Sequence, residues 1–178
     1  MVKEWDLVDS RVDKDYGVFK VRVEQARSPR TNGVNEFYTL ESGSWVNVIP
    51  VTPSRDVVMI RQYRHGTHKV SLEIPGGLVE EEDPQTAAIR ELAEETGYEG
   101  SNVCLLGSVR PNPALFNNLC YTYLIEGARK TCALSLDSSE DIEVELVPLT
   151  RIQGLIAKGR INHALVIAAF HFYFLRGS

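Results

Sequence analysis

The sequence predicts an α+β domain in which helices cover the faces of a mainly antiparallel or mixed sheet. Strand-like runs recur along most of the 178 residues, one sharply capped helix interrupts them, and two apolar helical stretches come last. No internal repeat, low-complexity tract or long linker divides the chain, so it reads as one domain over 1–178.

Residues 17–25 and 35–41 alternate as antiparallel strands do, and Ser28-Pro29-Arg30-Thr31-Asn32-Gly33 supplies turn chemistry between them. Further strand-like runs cover 45–51, 56–63, 103–109, 119–126 and 143–148. For the internal helix, Asp83 is an N-cap, Pro84 suits the first turn, and Gly97 can take the left-handed conformation after the last turn. Residues 151–158 and 162–175 read as two more helices, parted by Gly159. The most apolar stretch, 164–175, has only 12 residues and contains His171. A membrane span needs ~20, so it reads as a buried or interface helix. The first residues, Met1 to Asp6, lack the apolar run of a signal peptide. A cytoplasmic protein without membrane contact is expected.

With 43% hydrophobic residues the chain can bury a sizeable core. Its net charge of −5 argues against a non-specific nucleic-acid binder, whose affinity comes from Lys and Arg on phosphates. The acidic excess is local, concentrated at 80–83, 91–95 and 137–145. Cys104, Cys120 and Cys132 form no CxxC pair and read as reduced, largely buried thiols rather than a disulfide or zinc site.

On the internal helix, Ala88, Ile89, Leu92 and Ala93 are expected to face the core. Glu91, Glu94 and Glu95 then share the other side at i, i+3 and i, i+4 spacing. Arg90, four residues before Glu94, offsets part of that charge, but one Arg cannot balance three Glu. A hard divalent cation with oxygen ligands resolves the repulsion, and Mg²⁺ suits it. Three Glu alone would be an ordinary solvated helix face. The preceding Glu73-Ile74-Pro75-Gly76-Gly77 changes the odds, because paired glycines let backbone approach a ligand and leave carbonyls available.

Together, Gly76, Glu82 and Arg90-Glu91-Leu92-Ala93-Glu94-Glu95-Thr96-Gly97-Tyr98 form a 23-residue pattern that resembles the signature box of the Nudix hydrolases. Two positions depart from the family pattern. Tyr98 stands where an aliphatic residue is usual, and the loop 78–82 is one residue short, so either Gly76 or Gly77 can be the structural equivalent. Ile60-Arg61-Gln62-Tyr63-Arg64-His65 and Leu72-Glu73-Ile74-Pro75-Gly76 are similar to the run before the box in ADP-ribose pyrophosphatases. Pro113, 16 residues after Gly97, matches a proline of that branch, whereas Asn112 to Asn118 departs from its usual Ser-Pro-Gly version.

The resemblance implies an α/β/α sandwich with a mixed sheet, a catalytic loop–helix–loop and N-terminal antiparallel strands. It also implies a homodimer formed through residues 1–42, with a catalytic core over 43–178. The implied activity is Mg²⁺-dependent hydrolysis of nucleoside diphosphate sugars, ADP-ribose foremost, with Mn²⁺ able to substitute. Glu91, Glu94, Glu95 and the Gly76 carbonyl would hold metal, Arg90 would orient the Glu cluster, and Glu140 would be the general base, with Glu143 second. The base falls in Ser138-Ser139-Glu140-Asp141-Ile142-Glu143, the counterpart of a late loop in related enzymes. Arg61, Arg64 and Arg110 are candidates for the diphosphate, and Glu73 for a ribose hydroxyl or an arginine partner. Phe116 could stack on a base, as could Tyr16 or Phe37, though strand-core roles are commoner for such residues. The four histidines are unclustered and receive no catalytic role. Two other readings stay open: a nucleoside triphosphate pyrophosphohydrolase, and a sensing module that has lost the chemistry.

Overall fold

The computed structural model describes residues 1–136 and 140–176, and the chain forms two compact units. Ser138 and Ser139 of the expected base-bearing loop lie outside the described residues.

The smaller unit comprises Met1–Gly43 with Arg110–Asn118. Its strands β1 (Asp6–Asp15), β2 (Lys20–Arg27) and β3 (Val34–Glu41) form an antiparallel sheet in that order. The turn between β2 and β3 is the expected one: Ser28 Oγ accepts from the N–H groups of Arg30 and Thr31, and Asn32 takes φ +58°. β1 was not expected, since its four Asp and two Lys or Arg residues suppress the apolar alternation that marks a strand. Tyr16 and Phe37, for which strand-core roles were the commoner expectation, are instead 52% and 42% exposed. Tyr16 packs on Phe19 and Phe37 meets Trp5 edge to face.

The larger unit is built on a mixed six-stranded sheet. β4 (Trp45–Val51) runs parallel to β9 (Cys120–Glu126), and β8 (Asn102–Val109) joins β9 antiparallel. On the other side β5 (Asp56–Arg64) pairs antiparallel with β11 (Ile142–Pro148) and with β6 (Lys69–Glu73). Two short strands, β7 (Tyr98–Glu99) and β10 (Arg129–Lys130), form a separate ladder.

Side chains alternate across β4, so each sheet face gathers its own core. Val46 and Val48 pack with Tyr123 and Ile125 against Ala87, Ala88 and Leu92 of α1 (Pro84–Thr96). Ile49 and Val51 pack with Met59 and Leu124 against Val166, Ala169 and Phe170 of α3 (Ala164–Leu175). A short 3₁₀ turn and α2 (Ile152–Ala157) cover the same second face through Leu149 and Ile152. Helix, sheet, helix is the sandwich expected.

The caps of α1 are as read. Asp83 Oδ1 accepts from Gln85 N at 2.9 Å and Thr86 N at 3.1 Å, and Gly97 sits at φ +71° with its N–H on Ala93 O. The buried stripe differs from expectation. Ile89 is 41% exposed, while Glu91 and Glu95 join Ala87, Ala88, Leu92 and Thr96 among the buried residues. The helix is rolled so that small alanines meet the sheet. That roll carries two of the three glutamates onto the side chain-free glycine segment. Of the cysteines, Cys120 alone is buried, Cys132 is exposed, and none is disulfide-bonded.

Candidate active site

Beyond β6 the chain runs on beside β4, with Val48 N donating to Pro75 O and Val46 N to Gly77 O, both at 2.9 Å. An extended segment presents alternate peptides to opposite edges. Gly76 therefore turns its backbone away from β4, and its N–H donates to Glu95 Oε2 at 2.8 Å. Of the two glycines, Gly76 is the one whose backbone faces the acidic helix.

Neither glycine has room for a side chain. A Cβ on Gly77 would strike the Glu91 carboxylate, and one on Gly76 would strike the Val46 carbonyl and the Asn47 backbone. Gly77→Ala is expected to keep the fold, because Glu91 can swing, and to lose at least about tenfold in turnover as a misplaced site group does. Gly76→Ala meets backbone that cannot yield and should cost about 1–3 kcal/mol or more of stability. Thermal melts and turnover of the two variants check this, and equal melting temperatures would defeat it.

Opposite the glycines stand the carboxylates. Glu91 and Glu95 are 9% and 3% exposed. Burial pushes Glu95 up to about 8, with the negative charges of Glu91 and Glu140 adding to the rise against the Gly76 N–H. Burial also raises Glu91, more than its Arg90 contacts lower it. Arg90 is shared: Nε donates to Glu82 Oε1 at 2.9 Å and Nη1 to Glu94 Oε2 at 2.8 Å, with Glu91 Oε1 3.0 Å from Nη1. Its Nη2 donates to Leu78 O at 3.2 Å, tying the loop to the helix. Burial opposes the Arg90 charge, but Glu94 and Glu82 more than compensate, so its pKa stands above the ordinary value.

A cleft of about 390 Å³ opens here, bringing together Glu91, Glu94, Glu95, Gly76, Arg64 and Glu140. Every acidic or backbone donor at it is an oxygen, as a hard divalent cation requires, and burial together with the charges of Glu91 and Glu140 disfavours a bare Glu95 carboxylate there. Among the described residues no three His, Cys, Asp or Glu side chains make a ready cage. A cation whose shell is completed by waters and substrate phosphates needs none.

Arg64 Nε and Nη2 clasp both oxygens of Glu73 at 2.9 and 2.8 Å. Glu73 is 2% exposed, and although burial pushes its carboxyl up, the two bonds and the charge of Arg64 hold it below the ordinary value. Strand alternation turns Arg61 to the opposite face from Gln62 and Arg64. There it pairs with Glu145 at 2.6 Å and stands opposite Glu143, which is exposed. Arg110 and Phe116 belong to the smaller unit, where Arg110 bonds Asn117 O and Phe116 bridges Leu40.

Sequence reasoning passed over Asn47 and His163, which line a neighbouring cleft with Arg64 and Glu73. A lone amide in the otherwise apolar run 45–51 was the available signal for Asn47. His163 carried none, since its place 4.0 Å from Glu73 Oε2 depends on where α3 docks. No helix among the described residues is long and apolar enough to cross a membrane.

The NUDIX domain family model matches residues 43–170. A methanol dehydrogenase activator of Bacillus methanolicus is 33% identical over 159 residues, covering 87% of this chain and 84% of its own. An ADP-ribose pyrophosphatase of Bacillus subtilis is 28% identical, covering 74% and 72%. A crystal structure of an ADP compounds hydrolase superimposes with a TM-score of 0.85 over 99% of this chain and 97% of its own. At 19% identity that likeness shows the fold.

Proposed function

Because this chain belongs to the Nudix hydrolase family, we propose that it hydrolyses the pyrophosphate bond of nucleoside diphosphate sugars, ADP-ribose foremost, to nucleoside monophosphate and sugar phosphate. The observation that carries the reading is the pair of buried carboxylates, Glu91 and Glu95, set against the Gly76–Gly77 backbone with Arg64 and Glu140 on the same cleft. Pyrophosphatase relatives that act on ADP-ribose or ADP-sugars support the substrate class.

Glu91, Glu94, Glu95 and the Gly76 carbonyl would hold Mg²⁺, or Mn²⁺ in its place. When bound, such a cation offsets phosphate charge and makes a water acidic. Arg90 keeps Glu94 and Glu82 in place through its two bonds. Glu140 takes the proton of the attacking water as its oxygen adds in line to phosphorus, and the bridging P–O bond breaks. Glu143, on the face of Arg61, is less suited to that role. Arg64 offers the diphosphate a guanidinium already oriented by Glu73. Arg110 and Phe116 remain proposed substrate contacts, and Arg61, committed to Glu145, is the weakest of the set. The N-terminal sheet is proposed as a homodimer surface, and a cytoplasmic location accords with the acidic, reduced chain.

Incubation with Mg²⁺ and a panel of ADP-ribose, ADP-glucose, GDP-mannose, UDP-glucose and nucleoside triphosphates, followed by chromatography, tests the reaction. Nucleoside monophosphate with sugar phosphate is the expected result. Pyrophosphate released from triphosphates, with the sugar nucleotides intact, would move the chain to the triphosphate branch.

A further inference from the structure

Glu94 and Glu95 stand in the last turn of α1, where a helix is weakest. The final carbonyls of a helix have no partner within it, and its negative dipole end disfavours carboxylates. No basic residue stands in that turn to offset them. Glu91, Glu94 and Glu95 also repel one another at i, i+3 and i, i+4 spacing.

The chain just beyond the helix meets only part of this need. Gly97 N donates to Ala93 O at 2.8 Å, but Tyr98 N, next in line for Glu94 O, donates to Thr96 Oγ1 at 3.1 Å. The other donors come from a distant segment. β7, directly after α1, pairs with β10, and the residues following β10 return to the end of the helix. There Thr131 N and Cys132 N donate to Gly97 O at 2.9 and 3.2 Å, and Ser135 N donates to Glu94 O at 2.9 Å. Thr131 Oγ1 also donates to Glu99 Oε2 at 2.9 Å. The approach is close, since a Cβ on Gly97 would strike Cys132 O. Glu94 is thus held at both ends, its carboxylate by Arg90 and its carbonyl by Ser135, which lines the same cleft.

We infer that residues 131–135 form a strap that holds the cation-binding turn of α1 from outside the helix. Thr131, Cys132 and Ser135 are its positioning residues and act through their backbone N–H groups. Released from them, the turn frays, and Glu94 and Glu95 lose the fixed spacing that a divalent cation needs. The inference rests on the proposed metal role of those glutamates and adds to it what fixes their geometry.

The test removes one donor. Ser135→Pro has no N–H to give Glu94 O, whereas Ser135→Ala keeps it. Mn²⁺ binding to the substrate-free protein, read by electron spin resonance, should weaken at least about tenfold in Ser135→Pro, as when a supporting partner of a metal ligand is lost. Ser135→Ala should bind like the unaltered protein. A merely structural strap would lower the melting temperature and leave Mn²⁺ affinity intact. Gly97→Asn keeps the test open if Ser135→Pro folds poorly. Asparagine accepts the φ of +71° yet still brings a Cβ onto Cys132 O, so it should weaken Mn²⁺ binding as well. Unchanged affinity in both Ser135→Pro and Gly97→Asn, or equal losses in Ser135→Pro and Ser135→Ala, overturns the assignment. If the unaltered protein binds no Mn²⁺, the proposed metal role fails instead, and hydrogen exchange judges the strap alone. Exchange of the Gly97 amide that is at least about tenfold faster in Ser135→Pro, and not in Ser135→Ala, upholds it. Equal exchange in the two overturns it.

Discussion

Glu95→Gln is expected to lower kcat roughly 10²–10³-fold, the usual cost of removing one preorganised charged group from a polar active site. The fold should survive, because glutamine keeps the shape and can still accept the Gly76 N–H. Near-normal turnover would rule out the proposed metal role. Stability should move in the opposite direction to activity. Glu95 lies at about 8 in the folded chain against an ordinary 4.5. Between those values the folded state holds a proton that the unfolded chain has released. Without metal, stability is therefore greatest below about 4.5 and falls as pH rises to about 8. The fall amounts to a few kcal/mol, on the order of 1.4 for each pH unit that separates the two values. Glutamine should remove this slope, and Mg²⁺ should flatten it by favouring the charged carboxylate. Denaturant titrations at pH 5 and 8, with chelator and with Mg²⁺, measure both effects. Identical slopes in the two proteins would show that Glu95 does not carry the burial strain.

Arg64→Met should cost about 2–4 kcal/mol at neutral pH, since it leaves the buried Glu73 carboxylate unpaired. The upper end for buried pairs is not reached, because the Arg64 side chain is 43% exposed and water screens it. The direction with pH is the reverse of that for Glu95. Glu73 is held below its ordinary 4.5, so the pair's contribution is present above that value and fades as pH falls through the lowered one. Adding Glu73→Gln to Arg64→Met should recover most of the lost stability without restoring substrate affinity. A double variant with normal KM would reduce Arg64 to a structural partner. One as unstable as the single variant would mean that the unpaired charge is not the cause.

Much of the site was legible because its signals are local. Asp83, Pro84 and Gly97 bound α1 through hydrogen bonds and backbone angles set within a few residues. The i, i+3 and i, i+4 spacing of Glu91, Glu94 and Glu95 places them together on any helix. The strand runs 45–51 and 56–63 were visible because burial on both faces fills them with branched apolar residues. β1 was hidden because its strand neighbours, rather than its own composition, make it a strand.

The sequence by itself determined the longer apolar strands, the internal helix with its caps, the spacing of its glutamates and the family pattern. Only the tertiary structure decided which members of that pattern are buried. The roll of α1 onto β4 exposes Ile89 and sends Glu91 and Glu95 inward against Gly76 and Gly77. It decided that Gly76, not Gly77, turns its backbone to the helix, through the hydrogen bonds that β4 makes with Pro75 and Gly77. It also joined Arg64 to Glu73 while committing Arg61 to Glu145, a difference of strand face that no composition encodes. The physical reason is the same in each case. Capping and periodicity are energies of near neighbours, whereas desolvation and ion pairing depend on what packs across the gap from segments far away in the chain.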